Sequence, residues 1–149
     1  MTKFVVDVPP DAEALLVQHL RARGYDAQSE LPISNPDAEH SIDPGSVRVT
    51  RTGGDLRSAS HEVQDSAQVL IETWDVHAVA AWDRIVRVWA ELRIVQEQGS
   101  DLSGSMIYDL DLQVPRLLDD DRAPELHHYQ FLVTALLPLT TIVLESTDG

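Results

Sequence analysis

Two adjacent histidines near a run of acidic residues form the most chemically suggestive group in this sequence. His127 and His128 follow closely on the aspartates at 119–121. Imidazole and carboxylate groups bind zinc and exchange protons, so this neighbourhood could hold a metal or an acid–base pair. However, adjacent residues of a strand point to opposite faces, so the two histidines cannot easily share one ion. The acidic run also lacks the alternating oxygen ligands and central glycine of a calcium loop. We therefore expect a solvated loop leading into a strand, and no metal site.

The patterns that support covalent or phosphate chemistry are missing. The sequence contains no cysteine and no Gly-x-Ser-x-Gly motif, so thiol catalysis and a serine nucleophile elbow are both excluded. Gly53-Gly54 could begin a phosphate loop, but no lysine follows it and no helix pattern starts directly after it. Because no other polar residues converge in the pattern, we predict no catalytic residue, no cofactor site and no enzymatic activity.

Three arginines form the only local basic cluster: Arg48, Arg51 and Arg57. They could contact phosphate or an acidic neighbouring subunit, or they could be a solvated face that balances nearby acids. In a chain that oligomerises, cations must meet the acids of its own copies. Asp109 and Asp111 lie on the polar side of a later predicted strand, where they could pair with these arginines in a neighbouring copy. These five residues are the candidate subunit-interface residues.

The hydrophobic periodicity of the sequence predicts the helices and strands that would position these five residues. A helix is predicted over residues 11–23, capped by Asp11 and closed by Gly24. A longer amphipathic helix is predicted over residues 76–98, with Asp75 as its N-cap and with Trp82 and Trp89 buried against a sheet. Alternating or apolar runs predict a short extended piece and four strands, over residues 27–31, 46–52, 68–74, 106–113 and 126–137.

The order of these elements predicts an α+β fold, a mostly antiparallel sheet of about four to five strands with two helices packed on one face. Gly53-Gly54 is predicted to end the strand at 46–52. Residues 35–45 are predicted to be a surface loop, and residues 55–66 a long loop because they are polar and show no clear period. The chain is interpreted as a single domain over residues 1–149, with an N-terminal arm at 1–10 and a flexible C-terminal tail at 139–149.

Net charge narrows the possible partners. The chain has 149 residues with 25 acidic and 11 basic side chains, a formal charge of −14. Binding to nucleic acid needs phosphate-neutralising lysine and arginine, so a conventional DNA-binding role is disfavoured. A negative wall would still let DNA pass without adhering to it. No apolar run reaches the length of a membrane span, and the N-terminus does not resemble a secretory signal.

A family resemblance adds to these observations. The run VRVTRTGG from Val47, followed by a polar interval and by VLIETW leading directly into the long helix pattern, resembles tail terminator (tail completion) proteins of long-tailed siphophages, especially those that infect high-GC hosts. The strand that ends at Pro115, the acidic loop after it and the segment from Pro124 to Phe131 also match. The likeness covers roughly residues 11–138.

The resemblance implies a structural protein of the virion neck, assembled in the host cytoplasm and without a membrane. Such a protein forms a homo-oligomeric ring, a hexamer, that caps the tail tube and ends its polymerisation. It also joins the tail to the head–tail connector or stopper protein, and DNA passes through the acidic lumen as cargo. Two alternatives stay open. One is a head-closure (stopper) subunit, although a small β-barrel is typical of stoppers and the helix at 76–98 disfavours it. The other is an acidic DNA-mimic or regulatory binding protein, which should carry a denser stripe of acids.

Overall fold

The computed structural model describes residues 1–33, 42–59, 62–99, 101–120 and 123–146. Within these residues the chain forms two helices, α1 (Ala12–Ala22) and α2 (Ala78–Gln98). The same residues form eight strands: β1 (Thr2–Val8), β2 (Ala27–Gln28), β3 (Val47–Ala59), β4 (Glu62–Asp75), β5 (Asp109–Leu112), β6 (Arg116–Leu118), β7 (His127–Pro138) and β8 (Thr140–Ser146). The loop predicted over 35–45 lies mostly outside the described residues.

Six of the strands form one sheet in the order β2-β3-β4-β7-β5, with β6 beside β7. All pairings are antiparallel except the short parallel contact of β2 with β3. Both helices pack on the same face of this sheet and bury a common apolar cluster with it. The predicted α+β class is confirmed, although the chain has more strands than the four to five expected.

Helix α1 follows its local sequence signals. The Asp11 carboxylate caps it by accepting the Ala14 backbone N–H at 3.0 Å. Leu16, Val17 and Leu20 are buried as the predicted apolar stripe. The helix pattern was therefore sufficient to fix both the start of α1 and the face that it turns towards the sheet.

Helix α2 differs from its prediction at its start and in its buried face. The helix begins at Ala78, so its N-cap residue is His77 and not Asp75 as predicted. The His77 side chain makes no capping hydrogen bond. The buried positions are Ala81, Ile85, Val88, Leu92 and Val95. The predicted burial of both tryptophans is wrong, since Trp82 is 44% exposed and Trp89 is half-buried. Tryptophan combines a large apolar ring with an N–H that needs a partner, so it suits the edge of a buried face.

The predicted loop over residues 55–66 is also wrong, because β3 continues past Gly53-Gly54 to Ala59 and β4 begins at Glu62. A bulge between Arg51 and Gly53 shifts the register without ending the strand. Gly54, with a φ of +127°, makes this possible, since a Cβ there would stand 2.1 Å from the Ser66 carbonyl oxygen. The hairpin shows little periodicity because most of its side chains in residues 52–58 are exposed.

The two ends of the chain form a separate two-stranded antiparallel sheet, β1 with β8. We name this sheet the terminal ribbon. Its strands lie within the predicted N-terminal arm at 1–10 and the predicted tail at 139–149. Because the strands are separated by almost the whole sequence, no local pattern could indicate their pairing. A second apolar cluster of Ile42, Trp74, Ala123 and Leu126 lies on the opposite side of the main sheet from the helices.

Candidate assembly surfaces

The helix-free face of the main sheet carries four of the five candidate interface residues. Strand register places Arg48 on this face through its pairing with Glu72. The bulge in β3 brings Arg57 to the same face, opposite Gln64. On the far side of the sheet, Asp109 and Asp111 lie on β5 beside Leu136 and Thr134. The arginines and aspartates are thus separated by β4 and β7, roughly 14 Å apart at ~4.8 Å per strand.

These side chains differ in how far they are engaged inside the chain. Arg48 reaches Glu72 at 3.5 Å and the Ser29 carbonyl oxygen at 3.4 Å, both long contacts. Arg57 is exposed and makes no hydrogen bond or ion pair with the residues that the structure describes. Asp109 and Asp111 are also exposed. Arg57 and the two aspartates are therefore the predicted interface residues that are most available to another molecule.

Arg51 points instead to the helix side and is held within the chain. Its guanidinium binds both carboxylate oxygens of Asp65 at 2.7 Å, and the Asp65 side chain is 1% exposed. The Arg51 backbone N–H donates to Glu13 of α1 at 2.6 Å. The hydrogen bonds to Asp65 raise the pKa of Arg51 further above its ordinary value, although burial opposes this. This residue joins the bulge to α1 and β4, which is a structural role.

The histidine pair behaves differently from the solvated loop that was expected. His128 is buried and stacks on Trp74, with ring centroids 4.8 Å apart and an interplanar angle of 4°. Its Nε2 lies 3.1 Å from Glu72 Oε1, and Trp74 Nε1 donates to Asp120 at 2.9 Å. His127 lies on the other face of β7, as strand geometry required.

The contact of Trp74 with Asp120 connects the loop before β7 to the sheet. His128 and Glu72 are each 4% exposed, which leaves little access for a substrate. Among the described residues, no group of three or more histidine, aspartate and glutamate side chains is placed to hold a metal ion. The sequence signal that could have revealed the contact is the apolar run of β4 ending at a tryptophan opposite the His127-His128 pair.

An ion pair fixes the start of α2. The Arg84 guanidinium donates to Asp75 at 2.7 Å, and Asp75 also accepts the His77 backbone N–H at 3.2 Å. Burial favours a raised pKa for the Asp75 carboxyl, but the hydrogen bonds from Arg84 and the backbone outweigh it, so the pKa lies below its ordinary value. Asp75, which was predicted to cap α2, is instead the last residue of β4 and holds the end of that strand to the helix through Arg84.

The terminal ribbon exposes apolar side chains on both sides. Phe4 opposes Leu144 and Val6 opposes Ile142, so these four share one face. They are 53%, 53%, 39% and 40% exposed. The charged residues of the ribbon lie on its other face, where Lys3 is 3.6 Å from Glu145. The first face is therefore an uncharged apolar surface, which we call the ribbon face.

An open groove lies at the base of the ribbon, between the start of α1 and the end of β7. It has a volume of about 470 Å³. Its lining includes Pro10, Leu15, Met106, Leu137 and Pro138. Met106, which was predicted to lie in a buried strand, is 54% exposed here because β5 begins only at Asp109. We call this feature the base groove.

Neither helix in the described part of the chain is long and apolar enough to cross a bilayer. The sequence matches no described protein family and no curated protein sequence. Among solved structures, a chain in the virion of a native gene transfer agent particle is similar, with a TM-score of 0.54 and 14% identity. The similarity covers 84% of this chain and 92% of that one. At this identity the comparison shows a shared fold: nearly the whole of a virion protein has the same architecture as this chain.

Proposed function

We propose that this chain is a structural subunit of a phage-like virion, and specifically the tail terminator of a long tail. In this role the chain forms a hexameric ring that caps the tail tube, ends tube polymerisation and joins the tail to the head connector. The observation that carries the proposal is the fold shared with a virion chain over most of both proteins. The tail-terminator motifs of the sequence supply the more specific assignment.

The distribution of charge supports a ring. A ring of identical subunits uses two different patches of each copy, which must be complementary and must lie apart on the monomer. Arg57 on one side of the helix-free face and Asp109 and Asp111 on the other meet both conditions. A chain of charge −14 also makes a ring whose wall repels DNA, so the polyanion can pass through without binding.

The open sheet favours the terminator over a head-closure subunit. The small β-barrel expected of a stopper would close its edges, whereas the main sheet here has separate edge strands, β2 at one end and β5 at the other. Helix α2, with 21 residues, covers the face that a barrel would enclose. Both features agree with the helix-on-sheet architecture that the tail-terminator resemblance implies.

Electron microscopy of the purified protein, alone and with tail tubes, tests the proposed function. We expect rings with a central hole, bound at one end of each tube, and tubes that stop growing when the protein is added to polymerising tube protein. Particles that stay monomeric and neither bind tubes nor limit their length would contradict the proposal. Binding to a DNA-binding protein in competition with DNA would instead support the DNA-mimic alternative.

Charge reversal tests the interface residues separately. Arg57→Glu should weaken ring formation, and adding Asp111→Arg in the same chain should restore it if the two patches meet in neighbouring copies. Arg87→Glu is the matched control, because Arg87 lies on the solvent side of α2 in an exposed pair with Asp83. Equal loss of rings in the control, or no recovery in the double variant, would show that this pairing is wrong.

A further inference from the structure

His128 belongs to a buried polar cluster that the proposed function does not use. The residue is 4% exposed, and the two acids beside it, Glu72 and Asp120, are 4% and 8% exposed. Its Nε2 lies 3.1 Å from Glu72 Oε1, and its Nδ1 lies 3.9 Å from Asp120 Oδ2. Nδ1 makes no hydrogen bond with any residue that the structure describes. Buried polar atoms without a partner are uncommon in native folds, so this nitrogen needs a physical explanation.

The contact with Glu72 decides where the proton of the neutral ring lies. An ionised carboxylate can only accept hydrogen bonds, so Nε2, which is next to Glu72, carries the proton. Arg48 lies 3.5 Å from the other oxygen of Glu72 and compensates its charge. The neutral ring then presents the lone pair of Nδ1 near Asp120, where it forms no hydrogen bond. A second proton on Nδ1 makes it a donor, and a movement of less than 1 Å brings it within bonding distance of the Asp120 carboxylate.

Trp74 holds the ring and the loop carboxylate in position. It stacks on His128 with centroids 4.8 Å apart and 4° between the planes, and its Nε1 donates to Asp120 Oδ2 at 2.9 Å. The face of a tryptophan attracts a cation within about 6 Å, so this stack also suits a charged imidazole. The Asp120 oxygen that accepts from Trp74 is the one measured from Nδ1. The two rings and this carboxylate therefore form one unit.

Charges of both signs face this unit. The carboxylates of Glu72 and Asp120 stabilise a charged ring, whereas burial and the nearby Arg48 oppose it. The described segments around the unit carry further titratable or charged side chains: Asp43, Asp75, Arg116, Asp119, Glu125 and His127. The last of these lies on the other face of β7, opposite Asp75.

We propose that His128 is a proton-controlled clasp between β7 and the loop before it. Histidine is the side chain whose charge ordinarily changes between pH 5 and 8. At the acidic end of this range Nδ1–H binds Asp120, and at the alkaline end the loop keeps only the bond from Trp74 and its apolar contacts. Ala123 and Leu126 of this loop cover Trp74, so protonation controls how firmly this part of the helix-free face is closed. The clasp operates within one chain and does not depend on the proposed ring.

NMR spectroscopy and hydrogen exchange test the clasp in the purified protein. Long-range proton–nitrogen spectra should show His128 as the Nε2–H tautomer at pH 8 and as the doubly protonated ring at pH 5. The amides of Ala123 and Leu126 donate within the loop at 3.0 Å each and report its closure. After correction for the intrinsic exchange rate, both should exchange at least roughly threefold more slowly at pH 5, because charge-assisted hydrogen bonds are the stronger ones.

The adjacent histidine supplies a matched control. His128→Gln should lose the difference in exchange between the two pH values, whereas His127→Gln, on the opposite face of the same strand, should keep it. A difference that persists in His128→Gln, or that disappears in His127→Gln, would overturn the proposal. Wild-type protein decides the matter even if a variant fails to fold: an Nδ1–H tautomer at pH 8, or equal corrected exchange at both pH values, would refute the clasp. Neither result would bear on ring formation or tube capping.

Discussion

Reversing the charge of Arg51 should damage the fold before it affects any interface. Arg51 makes two charge-assisted hydrogen bonds of 2.7 Å to Asp65, whose side chain is 1% exposed. In Arg51→Glu the Asp65 carboxylate loses both bonds and faces a second carboxylate in the same place. The new acid also lies near Glu13, which binds the Arg51 backbone N–H. Three acids then share a site that holds one arginine in the native chain.

The expected cost follows from the burial of this pair. Removing one partner of a buried ion pair destabilises a protein by about 3–5 kcal/mol, because the remaining charge is left without compensation. Arg51 itself is 29% exposed, so solvent recovers part of the loss and we expect a value near ~3 kcal/mol. This is a large share of the roughly 5–15 kcal/mol that holds a typical domain together.

Urea unfolding at pH 7, followed by circular dichroism, measures this effect. With a slope of about 2 kcal/mol per molar urea, the midpoint should fall by about 1.5 M in Arg51→Glu. Arg57→Glu is the matched control, because it makes the same change on the same strand at an exposed side chain without a partner in the described residues. The control midpoint should change by less than ~0.3 M.

Equal midpoints for Arg51→Glu and wild type would refute this reasoning, since they would mean that the Asp65 contact contributes nothing to stability. Asp65→Asn supplies an independent check, and it should lose a comparable free energy because it removes the same pair from the other side. If Arg51→Glu is destabilised as expected, its loss of ring formation cannot be assigned to the interface. Arg57→Glu is then the informative variant for assembly.

Two further changes test the bulge in β3 and the ion pair of Asp75 with Arg84. Gly54→Ala should destabilise the fold by several kcal/mol, because the new Cβ would stand 2.1 Å from a carbonyl oxygen. Gly24→Ala, also at positive φ but with open space around it, should cost about 1 kcal/mol. Thermal unfolding of both variants measures the difference. Asp75→Asn should cost roughly 1–3 kcal/mol at pH 7 by weakening the contact with Arg84. Because the pKa of Asp75 is lowered in the folded chain, its contribution is present above the unfolded value near ~3.9 and disappears as the pH falls through the folded value. Urea midpoints of wild type and variant should therefore converge as the pH falls below the folded pKa of Asp75, while the exposed-pair control Asp83→Asn should change little over the same pH range.

Local sequence patterns were sufficient for much of the main body. The cap and stripe of α1, the alternation around Leu110 in β5 and the apolar side of β7 all follow from periods of 3.6 and 2 residues. These features depend on neighbours close in sequence, so they can be read without knowing the fold. The α+β class and the positions of the helices follow from them directly.

The candidate interface residues were only partly predictable. Their charge and exposed strand positions identified Arg57, Asp109 and Asp111 correctly as surface groups. Arg51 belongs to the same basic cluster in sequence but points to the helix side, where a buried aspartate binds it. The bulge that separates Arg51 from Arg57 changes which face each one occupies, and its position depends on how β3 pairs with β4.

The sequence by itself determined the helices, the central strands, the acidic charge and the lack of cysteine chemistry. Only the tertiary structure decided that the two ends of the chain pair as the terminal ribbon, that the hairpin extends beyond Gly54, and that His128 is buried against Trp74. The physical reason is the same in each case. A local period shows which residues seek burial, but the choice of a partner distant in sequence depends on the packing of the whole chain.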